Sequence, residues 1–178
     1  MDKKLLYNPF QFFAGFTSFL AGISGLLVTS LLAYKTGTHF NGLLNVEFAR
    51  DSDFWVYLVE NVSHWAILSL LFLLSGQILS ISKIRIIDVA GTVLISRLPL
   101  LIIPVIRILP IFQSFVIYSY PMYFLYGVYF ISVIWCIVLL FNAFKVSCNI
   151  KDRKLTLSFV VCILLSEILT RIFLHFFI

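Results

Sequence analysis

Charge is scarce in this chain. Of 178 residues only 13 are Lys or Arg and 8 are Asp or Glu, 12% in all, against about 25% in soluble domains. That excludes a soluble domain on which chemistry could be hung. Cysteine is scarcer still. Cys136, Cys148 and Cys162 form an odd set without metal-ligand spacing, and two lie in apolar runs, so no disulfide framework is implied and they read as small buried hydrophobes or free thiols. The sequence also lacks a Gly-rich phosphate loop, HExxH and any Cys-pair motif, so no metal site and no cofactor is called for. Asn61-Val62-Ser63 fits a glycosylation triplet, but it falls within an apolar segment and reads as accidental. No internal repeat is evident, which weakens an inverted-repeat transporter reading.

Apolar residues fill the space that charge leaves. They make up 61% of the chain, the mean hydropathy is +1.05, and they fall into five segments. About 20 apolar residues cross the hydrocarbon core as a helix. Expected spans are Phe12–Tyr34, Phe54–Ser82, one within Ile84–Ile108, Pro121–Phe144 and Leu155–Ile178. The fold class is therefore all-α: a single polytopic domain over 1–178 with five transmembrane helices, the third interrupted by prolines. The basic N-terminus resembles that of a signal peptide. The apolar stretch Phe10–Tyr34 is too long for a signal core, however, and no clear small-residue cleavage site follows, so the segment is expected to stay in the membrane.

The net charge of +5 invites a nucleic-acid reading, but the basic residues sit at helix ends, as anchoring to anionic head groups requires. The partner read from them is the lipid bilayer, not nucleic acid. With the N-terminus cytoplasmic, that side holds Lys3, Lys4, Lys83, Arg85, Lys145, Lys151, Arg153 and Lys154. The other holds Lys35, Arg50 and Arg107, beside Glu47, Asp51 and Asp53. This asymmetry fits the positive-inside rule and predicts N-in, C-out.

In the first span Gly15, Ser18, Gly22, Gly25 and Thr29 recur at threes and fours, a seam along which another backbone can approach. Gly22-Ile23-Ser24-Gly25 also matches the GxSG of rhomboid proteases, but the packing seam explains it, and rhomboids need more spans and a histidine base placed against the serine. In the third span Pro99, Pro104 and Pro110 each remove a donor, and neighbouring helices must satisfy the freed carbonyls. The uncharged stretch Leu109–Tyr120, with Phe112, Phe115, Tyr118 and Tyr120, reads as an interfacial loop or shallow re-entrant turn. In the polar connection Lys35–Asp53, Phe40, Leu44 and Phe48 recur every four residues, which predicts a short helix on the membrane surface.

Ionisable residues inside spans cost at least ~2.5–3.5 kcal/mol each near the centre, so they face the bundle interior and pair. Here they are Glu60 and His64, Arg97, and Glu167, Arg171 and His175. At about 1.5 Å per residue, Glu60 and Arg171 come to one level and His64 and Glu167 to the next, with Arg97 nearby. The expectation is that the second and fifth spans are antiparallel neighbours joined by those pairs. Three readings stand. The cluster is a charge-balanced knot that fixes which helices pair, or a proton, substrate or metal site using Glu60, His64, Glu167 and His175, or a set of lipid-facing residues that snorkel. Glu167 and Arg171 also partly match the EExxxR of CAAX-protease-like proteins, but Ser166 stands in place of the first glutamate and the later motifs are missing.

Asn8-Pro9-Phe10 precedes the first span, and Ile87–Pro104 reads IDVAGTVLISRLPLLIIP, a small residue followed by an aliphatic run and a Leu-Pro pair. With five spans, N-in and C-out, this layout resembles the bacterial branch of the Yip family of Ypt/Rab-interacting membrane proteins. The resemblance implies a compact five-helix domain in a bacterial inner membrane and assigns no catalytic residue. The DLYGP-like element and long N-terminal region of eukaryotic members are absent, so Rab binding does not carry over. The expected role is a non-catalytic adaptor or membrane-organising protein acting through helix and lipid contacts, with a membrane-protein partner or a second copy of itself. The alternatives are a small-solute or ion transporter built on the cluster and, third, an intramembrane hydrolase.

Overall fold

The computed structural model describes residues 8–11, 15–49, 52–80, 82–113, 120–150 and 152–177. Lys3, Lys4, Arg50, Asp51, Lys151, Phe115 and Tyr118, and the span bounds Phe12 and Ile178, lie outside them. The helices are α1 (Phe16–Thr36), α2 (Phe54–Leu79), α3 (Ile86–Ser96), α4 (Ile102–Arg107), α5 (Tyr120–Cys148) and α6 (Asp152–Phe177). Helices α3 and α4 join through a 3-10 turn, Leu98–Leu101, into one span. Five helical segments are thus long and apolar enough to cross a membrane. The protein is an all-α integral membrane bundle.

The broken third span forms the middle of the bundle. Its most apolar window is 67% buried, against 28–39% in the other four. Pro99 falls in the 3-10 turn and Pro104 in the first turn of α4, so the break sits where the backbone lacks donors. A neighbour does take up a freed carbonyl: the Cys136 thiol of α5 donates to Ser96 O at 2.8 Å. All three cysteines are free and buried.

Helix α1 packs chiefly on α3, and α2 on α6. The α1–α3 approach is close enough that a Cβ on Gly91 would stand 2.8 Å from the Phe19 backbone nitrogen. Ser18 and Gly22 are buried on this face, and side chains at Gly22 and Gly25 would run into Leu94 and Leu98. Gly15 precedes the helix as its N-cap. Ahead of it, the 3-10 turn Pro9–Gln11 seats Phe10 against Leu139, Ala143 and Ile95.

The connection after α1 departs from expectation. Residues 38–48 form no surface helix. Thr38–His39 and Glu47–Phe48 (β1 and β2) pair as a two-stranded antiparallel ribbon, Thr38 opposite Phe48 and His39 opposite Glu47. Gly37, at φ 62°, ends α1 in a left-handed cap that reverses the chain. Phe40 and Leu43 are each only 1% exposed, so the loop folds inward among the helices. Of the residues spaced by four, Phe40 is buried, Phe48 half-buried and Leu44 46% exposed, so they share no single face. Arg107 also departs from its expected place as a head-group anchor. It is fully buried, its guanidinium 4.1 Å from the centre of the Phe48 ring. The stretch after it opens with a 3-10 turn, Pro110–Phe112, and α5 begins at Tyr120.

Candidate functional site

Non-helical backbone at membrane depth is tolerated only where its polar groups are satisfied inside the protein. The inward loop meets that requirement with two glutamates from the spans. Glu60, in the second turn of α2, accepts the Phe40 N–H on Oε2 at 3.0 Å and faces His39 Nδ1 with Oε1 at 2.7 Å. Glu167 of α6 accepts the N–H groups of Leu43 and Leu44 on Oε1 at 2.5 and 3.2 Å. Tyr129 of α5 donates to Leu43 O at 3.1 Å. Each carboxylate thereby gains donors that hydrocarbon cannot supply, and each N–H an acceptor. Hydrogen bonds to a charged group contribute about 1.5–3 kcal/mol.

Gly42 sits where loop and acid come closest. A Cβ there would collide with the Glu167 carboxylate, and its φ of 158° lies at the edge of the range L-residues avoid. His39 is fixed from the other side by stacking on Tyr57, ring centres 4.2 Å apart.

The second layer is less complete. His64 Nε2 lies 3.6 Å from Glu167 Oε1, beyond hydrogen-bond length. Among the described residues neither His64 nitrogen, nor Glu167 Oε2, has a hydrogen-bond partner. Arg97 reaches α2 through the Asn61 main-chain carbonyl at 2.8 Å and its side-chain oxygen at 3.4 Å. Beside it a cavity of about 20 Å³, lined by Gly25, Thr29, Asn61 and Arg97 among others, has room for one water.

The expected pairing is therefore only partly what the chain adopts. His64 and Glu167 approach one another and Arg97 joins their neighbourhood. Glu60 forms no ion pair with Arg171, because His39 and the Phe40 N–H occupy its carboxylate. Arg171 and His175 are exposed. They line, with Asn41, Asn45, Glu47, Glu60 and Leu174, an open cleft of about 360 Å³. Among the described residues no group of His, Cys, Asp and Glu has the arrangement of a metal site. Ser24 is exposed and donates to Leu20 O within α1, and Ser166 Oγ donates to Ile163 O. Neither hydroxyl is bonded to a histidine.

Sequence reasoning missed His39, Asn61, Tyr129 and Gly42. Asn61 carried a signal, a polar amide next to an intramembrane acid, and Asn41-Gly42 is a turn dipeptide between apolar residues. No protein-family model, curated protein or solved structure matches the chain.

Proposed function

We propose that the protein is a non-catalytic, Yip-like integral membrane protein that organises its surroundings through helix and lipid contacts, with its N-terminus cytoplasmic and its C-terminus outside a bacterial inner membrane. One observation carries this reading. The intramembrane acids are engaged by the chain's own loop, Glu60 by His39 and Phe40, Glu167 by Leu43 and Leu44. Groups spent on holding a loop in place are not poised for turnover. The long apolar faces left on the outside of the bundle, such as Phe130 and Ile131, each 66% exposed, and Leu157 at 70%, suit lateral contact with lipid, a membrane-protein partner or a second copy.

A transporter remains the second reading, favoured by the cleft that reaches Glu60. Neither His64 nor Glu167 lines that cleft, which argues for a dead end. The test is flux of protons and inorganic cations into proteoliposomes holding the purified full-length chain. Flux should equal that of empty vesicles. Flux above that background, lost in Glu60→Gln or Glu167→Gln, would overturn the proposal and promote transport.

A further inference from the structure

The cleft beside the loop carries two charges of opposite sign, Arg171 and Glu47, that meet no opposite charge among the described residues of the bundle. Arg171 lies six residues before the end of α6 at Phe177, about 9 Å along the helix. On a helix of 26 residues, about 39 Å long against a hydrocarbon core of about 30 Å, that sets its Cα just inside the hydrocarbon edge, from which the long side chain reaches head-group level. Among the described residues it takes part in no ion pair and no hydrogen bond. An unpaired guanidinium there calls for an anion, and phosphate is the one that head-group depth supplies; Arg binds it through its planar fork. Across the same cleft Glu47 is exposed and steadied by the Asn45 amide at 3.0 Å. Glu60, already held by His39 and the Phe40 N–H, closes the inner wall and adds to its negative charge.

A phosphate alone would meet those carboxylates as like charges. A ligand with phosphate at one end and a primary ammonium at the other satisfies both walls. The cleft lining includes no Phe, Tyr or Trp, and quaternary ammonium groups are recognised by aromatic cages, so the ammonium expected is primary. The volume of about 360 Å³ falls within the range of small-ligand clefts, roughly 300–1,000 Å³. Three and seven residues below Arg171, on the same helical face, Ile168 and Leu164 are 55% and 54% exposed. They form an apolar track on which acyl chains can lie.

From this juxtaposition we infer that the cleft between the loop and α6 binds a phosphoethanolamine head group, with Arg171 on the phosphate and Glu47, backed by Glu60, on the ammonium. The inference deepens the proposed lipid-contacting role and rests on it for the claim that the bound species is a membrane lipid.

The test is native mass spectrometry of the full-length protein in mild detergent, with phosphatidylethanolamine, phosphatidylcholine and phosphatidylglycerol of matched acyl chains. Phosphatidylethanolamine should be retained over the other two. Arg171→Gln and Glu47→Gln, both at exposed positions and both expected to stay folded, should each cut that retention about tenfold, the loss expected for one charge-assisted hydrogen bond. Equal retention of the three lipids, or retention insensitive to both substitutions, overturns the inference. Displacement by equimolar glycerophosphoethanolamine assigns the site to a free solute and overturns the lipid claim. Flux in the vesicle assay would sink the proposed function while leaving lipid retention as it is, so the two fail separately.

Discussion

Glu60 is 3% exposed on a helix that crosses the membrane, and both groups that meet its carboxylate arrive from the preceding loop. Breaking a buried pair leaves an uncompensated group and costs ~3–5 kcal/mol. Glu60→Gln should therefore lower unfolding stability in detergent clearly, and so should His39→Ala. Combined, they should lose less than the sum, with a coupling of at least about 1 kcal/mol. The Glu60→Gln and Arg171→Gln pair should come much closer to additivity. Strong coupling to Arg171, with none to His39, would mean that the loop does not hold the acid. The intramembrane charges were legible in the sequence, because an ionisable side chain inside an apolar span stands out. Histidine at position 39 was not, since a histidine in a polar loop is ordinary. The Phe40, Leu43 and Leu44 N–H donors leave no trace in side-chain identity at all. Arg107 misled for a related reason: its place near the end of a span suggests a head-group anchor, and the sequence does not show that the loop returns Phe48 over its guanidinium.

Helix pairing follows from small residues that let backbones meet. The seam on α1 was legible because glycine and serine at threes and fours stand out against leucine and phenylalanine. Its partner, Gly91 on α3, was not, since a single glycine in an apolar run does not say which helix it faces. Gly22→Leu should force α1 away from α3, as any side chain there meets Leu94. Gly127 of α5 is the control, with no atom within 4 Å of where its Cβ would stand. Thermal unfolding in detergent should show a large loss for Gly22→Leu and little for Gly127→Leu. Equal losses would point to a generic cost of enlarging a membrane glycine and remove the α1–α3 contact as the cause. The inward loop is the element that spacing misread. A period of four describes a helix only while the backbone stays helical, and Gly37 and Asn41-Gly42 turn it instead.

Across the whole molecule the five spans alternate in direction. The ribbon 38–48, the turn after Arg107 and the end of α6 therefore share one face, and the short connections at 80–85 and 149–151 share the other. Lys83, Arg153 and Lys154 are exposed on the second face. On the first, Arg107 is buried while Lys35 and Arg171 are exposed. Single cysteines on a background lacking Cys136, Cys148 and Cys162 would read the orientation directly. Ala49→Cys, exposed beside the ribbon, should react with a membrane-impermeant maleimide in intact cells. Lys83→Cys and Lys154→Cys should react only after permeabilisation. Labelling of the two lysine positions in intact cells, with Ala49→Cys protected, would invert the protein. The phosphoethanolamine cleft would then face the cytoplasmic leaflet, and its chemistry would stand unchanged because it depends on depth and charge alone.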